Sequence, residues 1–128
     1  MLTISPIYAG LLGLLVVWLS VGVSTVRRQK KVSTGDGGEK ALFKAIRVHS
    51  NAIENIPIAI ILLVLLELQG APGWALHVAG ATFLAARLMH AYGLGRERQF
   101  VPGRIYGAYL TIFTITGTAV ANICYAVL

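Results

Sequence analysis

The chain has 128 residues, 56% hydrophobic and only 12% charged, with a mean hydropathy of +0.73. Soluble domains carry about 25% charged residues, so this composition excludes an ordinary soluble domain and points to one integral membrane domain over residues 1–128. The net charge of +6 would suggest nucleic acid in a soluble protein, but here it reports topology, and no nucleic-acid partner is expected.

Cys124 is the single cysteine, which excludes an intrachain disulfide framework. No basic region precedes the first apolar run and no small-residue cleavage site follows it, so it reads as a retained helix.

Four apolar runs follow in chain order. The first spans residues 7–26 and stops at Arg27 and Arg28; the second spans 45–68 and closes on the turn "QGAPG". The third spans 74–94 and the fourth 105–128. At ~1.5 Å per residue each can cross a hydrocarbon layer of ~30 Å. The runs are continuously apolar, not alternating, which favours helices over a barrel. The expected fold is therefore an all-α, four-helix membrane bundle.

Basic residues set its orientation. Arg27, Arg28, Lys30, Lys31, Lys40 and Lys44 flank the first connection, and Arg96, Arg98 and Arg104 flank the third. The second connection and both termini carry none. The charged connections are therefore cytoplasmic and both termini lie on the other side. The first connection, with Asp36 and Glu39 among glycines, reads as a flexible loop, since no phosphate-binding spacing is present.

The second run raises a chemical question. Its purely apolar part, residues 56–66, is too short to cross alone, so the preceding "AIRVHSNAIEN" must enter the membrane with it. Arg47, Asn51 and Glu54 stand at i, i+4 and i+7, within roughly 60° on one helical face, and His49 projects from nearly the opposite side. An ionised side chain at the centre of a span costs on the order of 2.5–3.5 kcal/mol. Such a face lines a cavity or an interface, not lipid.

Matching groups lie at the same depth elsewhere. Arg87 and His90 are one turn apart on the third span, with Tyr92 after them. Arg104, Tyr106 and Tyr109 open the fourth span behind Pro102 and Gly103, and Arg27 ends the first. Arginines offer bidentate donors to carboxylates, and a buried glutamate accepts from an amine. The implied ligand is zwitterionic with excess negative charge, and a peptide-like thiol fits. An arginine beside a thiol of pKa ~8.5 raises its thiolate fraction at neutral pH.

These residues carry a resemblance. "AIRVHSNAIENIPI", an Arg-x-x-x-Asn-x-x-Glu pattern, with "LAARLMHAYG", resembles the membrane-associated proteins in eicosanoid and glutathione metabolism (MAPEG), which include the microsomal glutathione transferases. Within that family the chain looks most like a bacterial, inner-membrane, YecN-like branch. The resemblance implies a homotrimer with glutathione as cosubstrate, held between neighbouring subunits. It implies Arg47, Asn51 and Glu54 as the glutathione-binding triad, with His49, Arg27, Arg87 and His90 matching further family positions. Arg104 matches the arginine that stabilises the thiolate. Where relatives carry a tyrosine seven residues after the third-helix arginine, this chain has Leu94, leaving Tyr92, Tyr106 and Tyr109 as candidate phenols. The implied activity is a membrane-bound glutathione transferase or peroxidase acting on an apolar electrophile or hydroperoxide that arrives through the bilayer. The alternative is a non-enzymatic member, resembling five-lipoxygenase activating protein, that binds lipid or glutathione and presents it to a partner.

The remaining residues read as structural. His77, Trp18 and Trp74 suit packing or the membrane interface, Glu67 the outer interface, and Cys124 a small apolar role. Gly10 with Gly13, and Ala75 with Ala79, suit close helix approach. No metal-ligand spacing is present.

Overall fold

The computed structural model describes residues 1–95 and 101–127; Arg96, Arg98 and Leu128 lie outside the described residues. Four helices follow one another: α1 Ser5–Lys30, α2 Lys40–Leu68, α3 Gly73–Gly95 and α4 Val101–Val127. The helices extend past the apolar runs at the basic, cytoplasmic end, because Arg, Lys and Glu continue a helix well once its first turns are nucleated by the apolar segment. By length and composition α1, α2 and α4 each suffice to cross a membrane. The third, with 23 residues, carries His77, Arg87 and His90 among its apolar side chains.

Local chemistry sets the helix ends. Pro6 sits in the first turn of α1, where its missing N–H is not needed. The Ile7 N–H closes on Ile4 O at 3.0 Å, and the N–H groups of residues 3–5 are taken by a residue far away in sequence. Glu67, in the last turn of α2, accepts from the backbone N–H of Thr3 (2.6 Å), Ile4 (2.8 Å) and Ser5 (2.7 Å), and from the Ser5 hydroxyl. A carboxylate at a helix N-terminus also meets the positive end of the helix dipole. Glu67 is thus a clasp between α1 and α2, not merely an interfacial side chain.

At the end of α2, Gly70 takes φ +84° and the Ala71 N–H bonds to Leu66 O at 3.0 Å, the closing bond of a left-handed C-terminal turn. In the first connection Asp36 Oδ1 accepts from Gly38 N at 3.0 Å, and Lys30 pairs with Glu39 at 3.2 Å. That pair is well exposed and contributes little.

Two apolar clusters hold the bundle. Leu12, Leu15, Ala52, Ile56, Ala59 and Phe83 pack in the middle, and Tyr8, Leu63, Leu66 and Leu76 pack toward the outer end. In lipid, burial of apolar surface does little to drive helices together, so close van der Waals fit and hydrogen bonds carry the association. The α3–α4 contact shows how. Gly103, Gly107, Thr111, Thr114, Thr118 and Asn122 form one buried stripe along α4. Thr111, Thr114 and Thr118 donate to the carbonyls of Gly107, Leu110 and Thr114 on their own helix, so their hydroxyls are satisfied and their methyls pack. Asn122 ties α4 to α2 by donating to Leu62 O at 2.9 Å and accepting from Gln69 Nε2 at 2.7 Å.

Gly107 is the tightest point. A methyl group there would come within 2.7 Å of Ala86 O and His90 N, both backbone atoms of α3. Gly107→Ala is therefore expected to lower stability by about 1–3 kcal/mol through overpacking. Gly10→Ala, where nothing lies within 4 Å, should leave the melting temperature unchanged or slightly raised. Thermal unfolding of both variants in one detergent checks this, and equal melting temperatures would refute the close-approach assignment.

Candidate functional site

The site grows from α3. Arg87 lies in the buried stripe of that helix and is only 1% exposed. Its Nη2 donates to Asn51 Oδ1 on α2 at 2.7 Å, and its Nη1 donates to Thr111 Oγ1 on α4 at 3.3 Å. His90 Nδ1, one turn further along α3, lies 3.5 Å from Nη2. The Arg87 Nε is buried without a hydrogen-bond partner. One guanidinium thus joins three helices. Among the described residues no carboxylate is within ion-pair distance of it.

Outside Arg87 the helices open into a cleft of ≈ 290 Å³, lined by Phe43, Lys44, Arg47, Asn51, His90, Leu94 and Arg104. Lys44 and Arg47 come from α2 and Arg104 from the first turn of α4. Among the described residues three cationic side chains and no carboxylate line this space, with the buried Arg87 behind Asn51. Arg47 and Arg104 are exposed, so a ligand in the cleft meets their charge directly. A positive wall in a low-dielectric setting holds an anion far more strongly than in water. Phe43 and Leu94 add apolar flanks.

The sequence-identified residues divide. Asn51, Arg87 and His90 form one hydrogen-bonded group, and Arg47 and Arg104 stand on the wall of the same cleft. Glu54 lies one turn deeper than Asn51, exposed and outside the cleft lining, with its charge acting on Arg87 at longer range than an ion pair. Arg27 turns to the first connection instead, where its Nη1 donates to Gly35 O at 2.8 Å and Val32 O at 3.4 Å. His49 is half-buried on another face of α2. Tyr92, Tyr106 and Tyr109 are 57%, 60% and 67% exposed and none lines the cleft. Among the described residues no group of three His, Cys, Asp or Glu converges as a metal site would require.

Sequence reasoning passed over Thr111, Gly107 and Phe43. A signal for the first two was present: Gly103, Gly107 and Thr111 recur every four residues, the small-residue pattern of close helix packing. That pattern reports proximity to α3 but not which side chain of α3 it meets.

Removing the Asn51 acceptor strands a buried guanidinium donor. Asn51→Ala is expected to lower stability by about 1.5–3 kcal/mol. Asn51→Asp should recover it, because a carboxylate there both accepts from Arg87 and offsets its charge. Thermal unfolding followed by helical circular dichroism tests the pair, and an Asn51→Ala protein as stable as the parent would mean that Arg87 is hydrated.

A family model, the MAPEG family, matches residues 5–124. The chain is 48% identical over 90 residues to inner membrane protein YecN of Escherichia coli strain K12, covering 70% of this chain and 69% of that protein. The same figures hold for inner membrane protein YecN of Escherichia coli O6:H1. No solved structure matches the chain.

Proposed function

This chain belongs to the MAPEG family of membrane proteins, and from that premise and the cationic cleft we propose that it is an inner-membrane glutathione transferase or glutathione-dependent peroxidase. The observation that carries the reading is the cleft itself: among the described residues Lys44, Arg47 and Arg104 stand around Asn51 and the buried Arg87, and no carboxylate of those residues lines it. Glutathione has two carboxylates, one amine and a thiol, so it presents net negative charge and a group that a cation activates.

In this reading Arg47 and Lys44 hold the carboxylates, and Asn51, oriented by Arg87, supplies its amide. Arg104 faces the sulfur. Its charge favours the thiolate over the thiol, and the thiol proton passes to water. In the transferase reaction the sulfur pair forms a bond to carbon of an apolar electrophile, and a leaving group departs or the adjacent carbon takes a proton. In the peroxidase reaction the sulfur attacks the terminal oxygen of a hydroperoxide, the O–O bond breaks, and the alkoxide leaves as alcohol after protonation. The resulting sulfenic acid condenses with a second glutathione to give the disulfide and water.

The proposal includes a homotrimer. Glu54, Tyr106 and Tyr109 are exposed on the surface of one chain at membrane depth, where a carboxylate facing lipid is costly. Neighbouring subunits would cover that surface and bring Glu54 to the amine of a glutathione bound at the interface. A second reading, a non-enzymatic protein that binds glutathione or lipid for a partner, is favoured by one observation: among the described residues no hydroxyl side chain lines the cleft.

The two readings separate on one measurement. Glutathione added to the purified protein at neutral pH is expected to give a saturable ultraviolet thiolate band. Arg104→Ala should abolish the band while leaving binding within about tenfold, and Arg47→Ala should weaken binding by about tenfold or more, the loss of one charge-assisted contact. Glu54→Gln should weaken binding only in the trimer. Binding without a band would favour the non-enzymatic reading, and no binding would refute both.

A further inference from the structure

Arg87 takes up the acceptor atoms of the side chains around it. A guanidinium has five N–H donors and no acceptor, so each of its contacts occupies a partner's acceptor and leaves that partner's donor free. On Asn51 it takes Oδ1, at 2.7 Å, and leaves the amide NH2. On His90 its Nη2 faces Nδ1, at 3.5 Å. A hydrogen on Nδ1 would point at a guanidinium hydrogen, so Nδ1 keeps its lone pair and the ring hydrogen sits on Nε2. The imidazole is held neutral, with one N–H left to give.

That N–H opens on the cleft. His90 is only 6% exposed, yet it lines the cleft together with Arg104, whose charge reaches the ring. Among the described residues its one hydrogen-bonding contact is Arg87, and the one buried side-chain nitrogen or oxygen without a partner is Arg87 Nε. An Nε2 enclosed by the bundle would be a second such orphan, so this atom reaches the open space that His90 lines. Thr111 steadies the arrangement from α4: its oxygen accepts from Nη1 while its own hydrogen goes to Gly107 O. The inner wall of the cleft is thus built of two neutral donors, Asn51 and His90, between charged side chains.

We infer that Arg87 is a positioning residue that locks His90 as an Nε2–H donor, and that this donor meets the sulfur of the bound thiol opposite Arg104. The inference rests on the glutathione reading for its ligand, and deepens it by giving the thiolate a second, uncharged partner. Lys44 and Arg47 of α2 are taken by the carboxylates in that reading, which leaves the sulfur between α3 and α4, where His90 and Arg104 stand. Among the described residues no hydroxyl lines the cleft, and an imidazole N–H serves as a hydroxyl would: it donates to the anion and gives up no proton. The thiol proton still passes to water. A further cation on the sulfur would lower its nucleophilicity along with its basicity, whereas a neutral donor does so less.

Magnetic resonance of the full chain in detergent, isotopically labelled at the histidine ring nitrogens, tests both halves. The labelled rings are those of His49, His77 and His90, and His90→Gln identifies the last by its loss. At neutral pH the free protein is expected to show His90 as a single Nε2–H tautomer. An Nδ1–H ring, or a mixture, would overturn the positioning role with no ligand needed. In Arg87→Gln, whose amide can give or accept, both tautomers should appear, and persistence of the single form would remove Arg87 as its cause. The parent spectrum decides the matter even if that variant does not fold. Glutathione should move the Nε2 signal. S-methylglutathione, with the same carboxylates and amine but no ionisable sulfur, should bind and leave it in place. His90→Leu should shrink the thiolate band about tenfold with binding kept within about threefold, the loss of one hydrogen bond to a charged acceptor. His90→Gln, which keeps an N–H donor, should restore most of the band. Glutathione that forms its thiolate without moving Nε2, or equal shifts from both peptides, would overturn the sulfur assignment and leave the glutathione reading standing. Saturable binding of neither peptide would sink that reading and the sulfur assignment together.

Discussion

A single buried guanidinium organises the cytoplasmic half of this protein. Arg87 carries its charge into a bundle interior where an unpaired ion is costly. That cost is reduced only if acceptors reach it from other helices. Asn51 comes from α2 and Thr111 from α4, and His90 lies beside it on its own helix. The three helices must therefore keep one register relative to one another. Gly107 follows from the same constraint: with a side chain there, α4 would stand too far from α3 for Thr111 to meet Arg87. The cleft outside this group is the space left where α2, α3 and α4 part above it.

The outer half is held by different chemistry. Glu67 joins α1 to α2 by satisfying the first N–H groups of α1. Tyr8 reaches His77 on α3, with its hydroxyl 3.0 Å from Nδ1, and packs against Gly80. Asn122 closes α4 onto α2. Every helix is thus clasped at the outer end, whereas α1 is unclasped at the inner end except through its connection to α2. Polar clasps at the outer end and the Arg87 group at the inner end divide the hydrogen bonds within the bundle between two levels.

The same division explains the two faces of α2. Asn51 and Arg47 meet the cleft, and Ala52, Ile56, Ala59 and Leu63 meet the apolar core. Glu54 lines neither, and within one chain its charge acts on Arg87 only from beyond ion-pair distance. A carboxylate on the outside of a membrane helix gains most from a protein neighbour, which is why the proposed site extends beyond a single subunit.

Much of this was legible in the chain itself. The four apolar runs, their lengths and the placement of lysine and arginine determine helices, spans and orientation, because lipid admits no unsatisfied backbone and the cytoplasmic side collects positive charge. The Arg-x-x-x-Asn-x-x-Glu spacing marked the second helix as polar on one face, and Arg87 and His90 as its counterpart. What only the tertiary structure decided was which of those groups meet. Helical spacing places Glu54 with Arg47 and Asn51, yet a helix face is broad. The depth at which α3 and α4 cross α2 leaves Glu54 beyond the cleft and brings Thr111 to Arg87. Arg27 and Glu67 show the same limit: their partners lie in loops and helix ends whose backbone groups carry no mark in the sequence. Side-chain type and periodicity determine which face must avoid lipid, but the partner on that face is set by the approach of the helices, and that approach depends on where glycine lets two backbones touch.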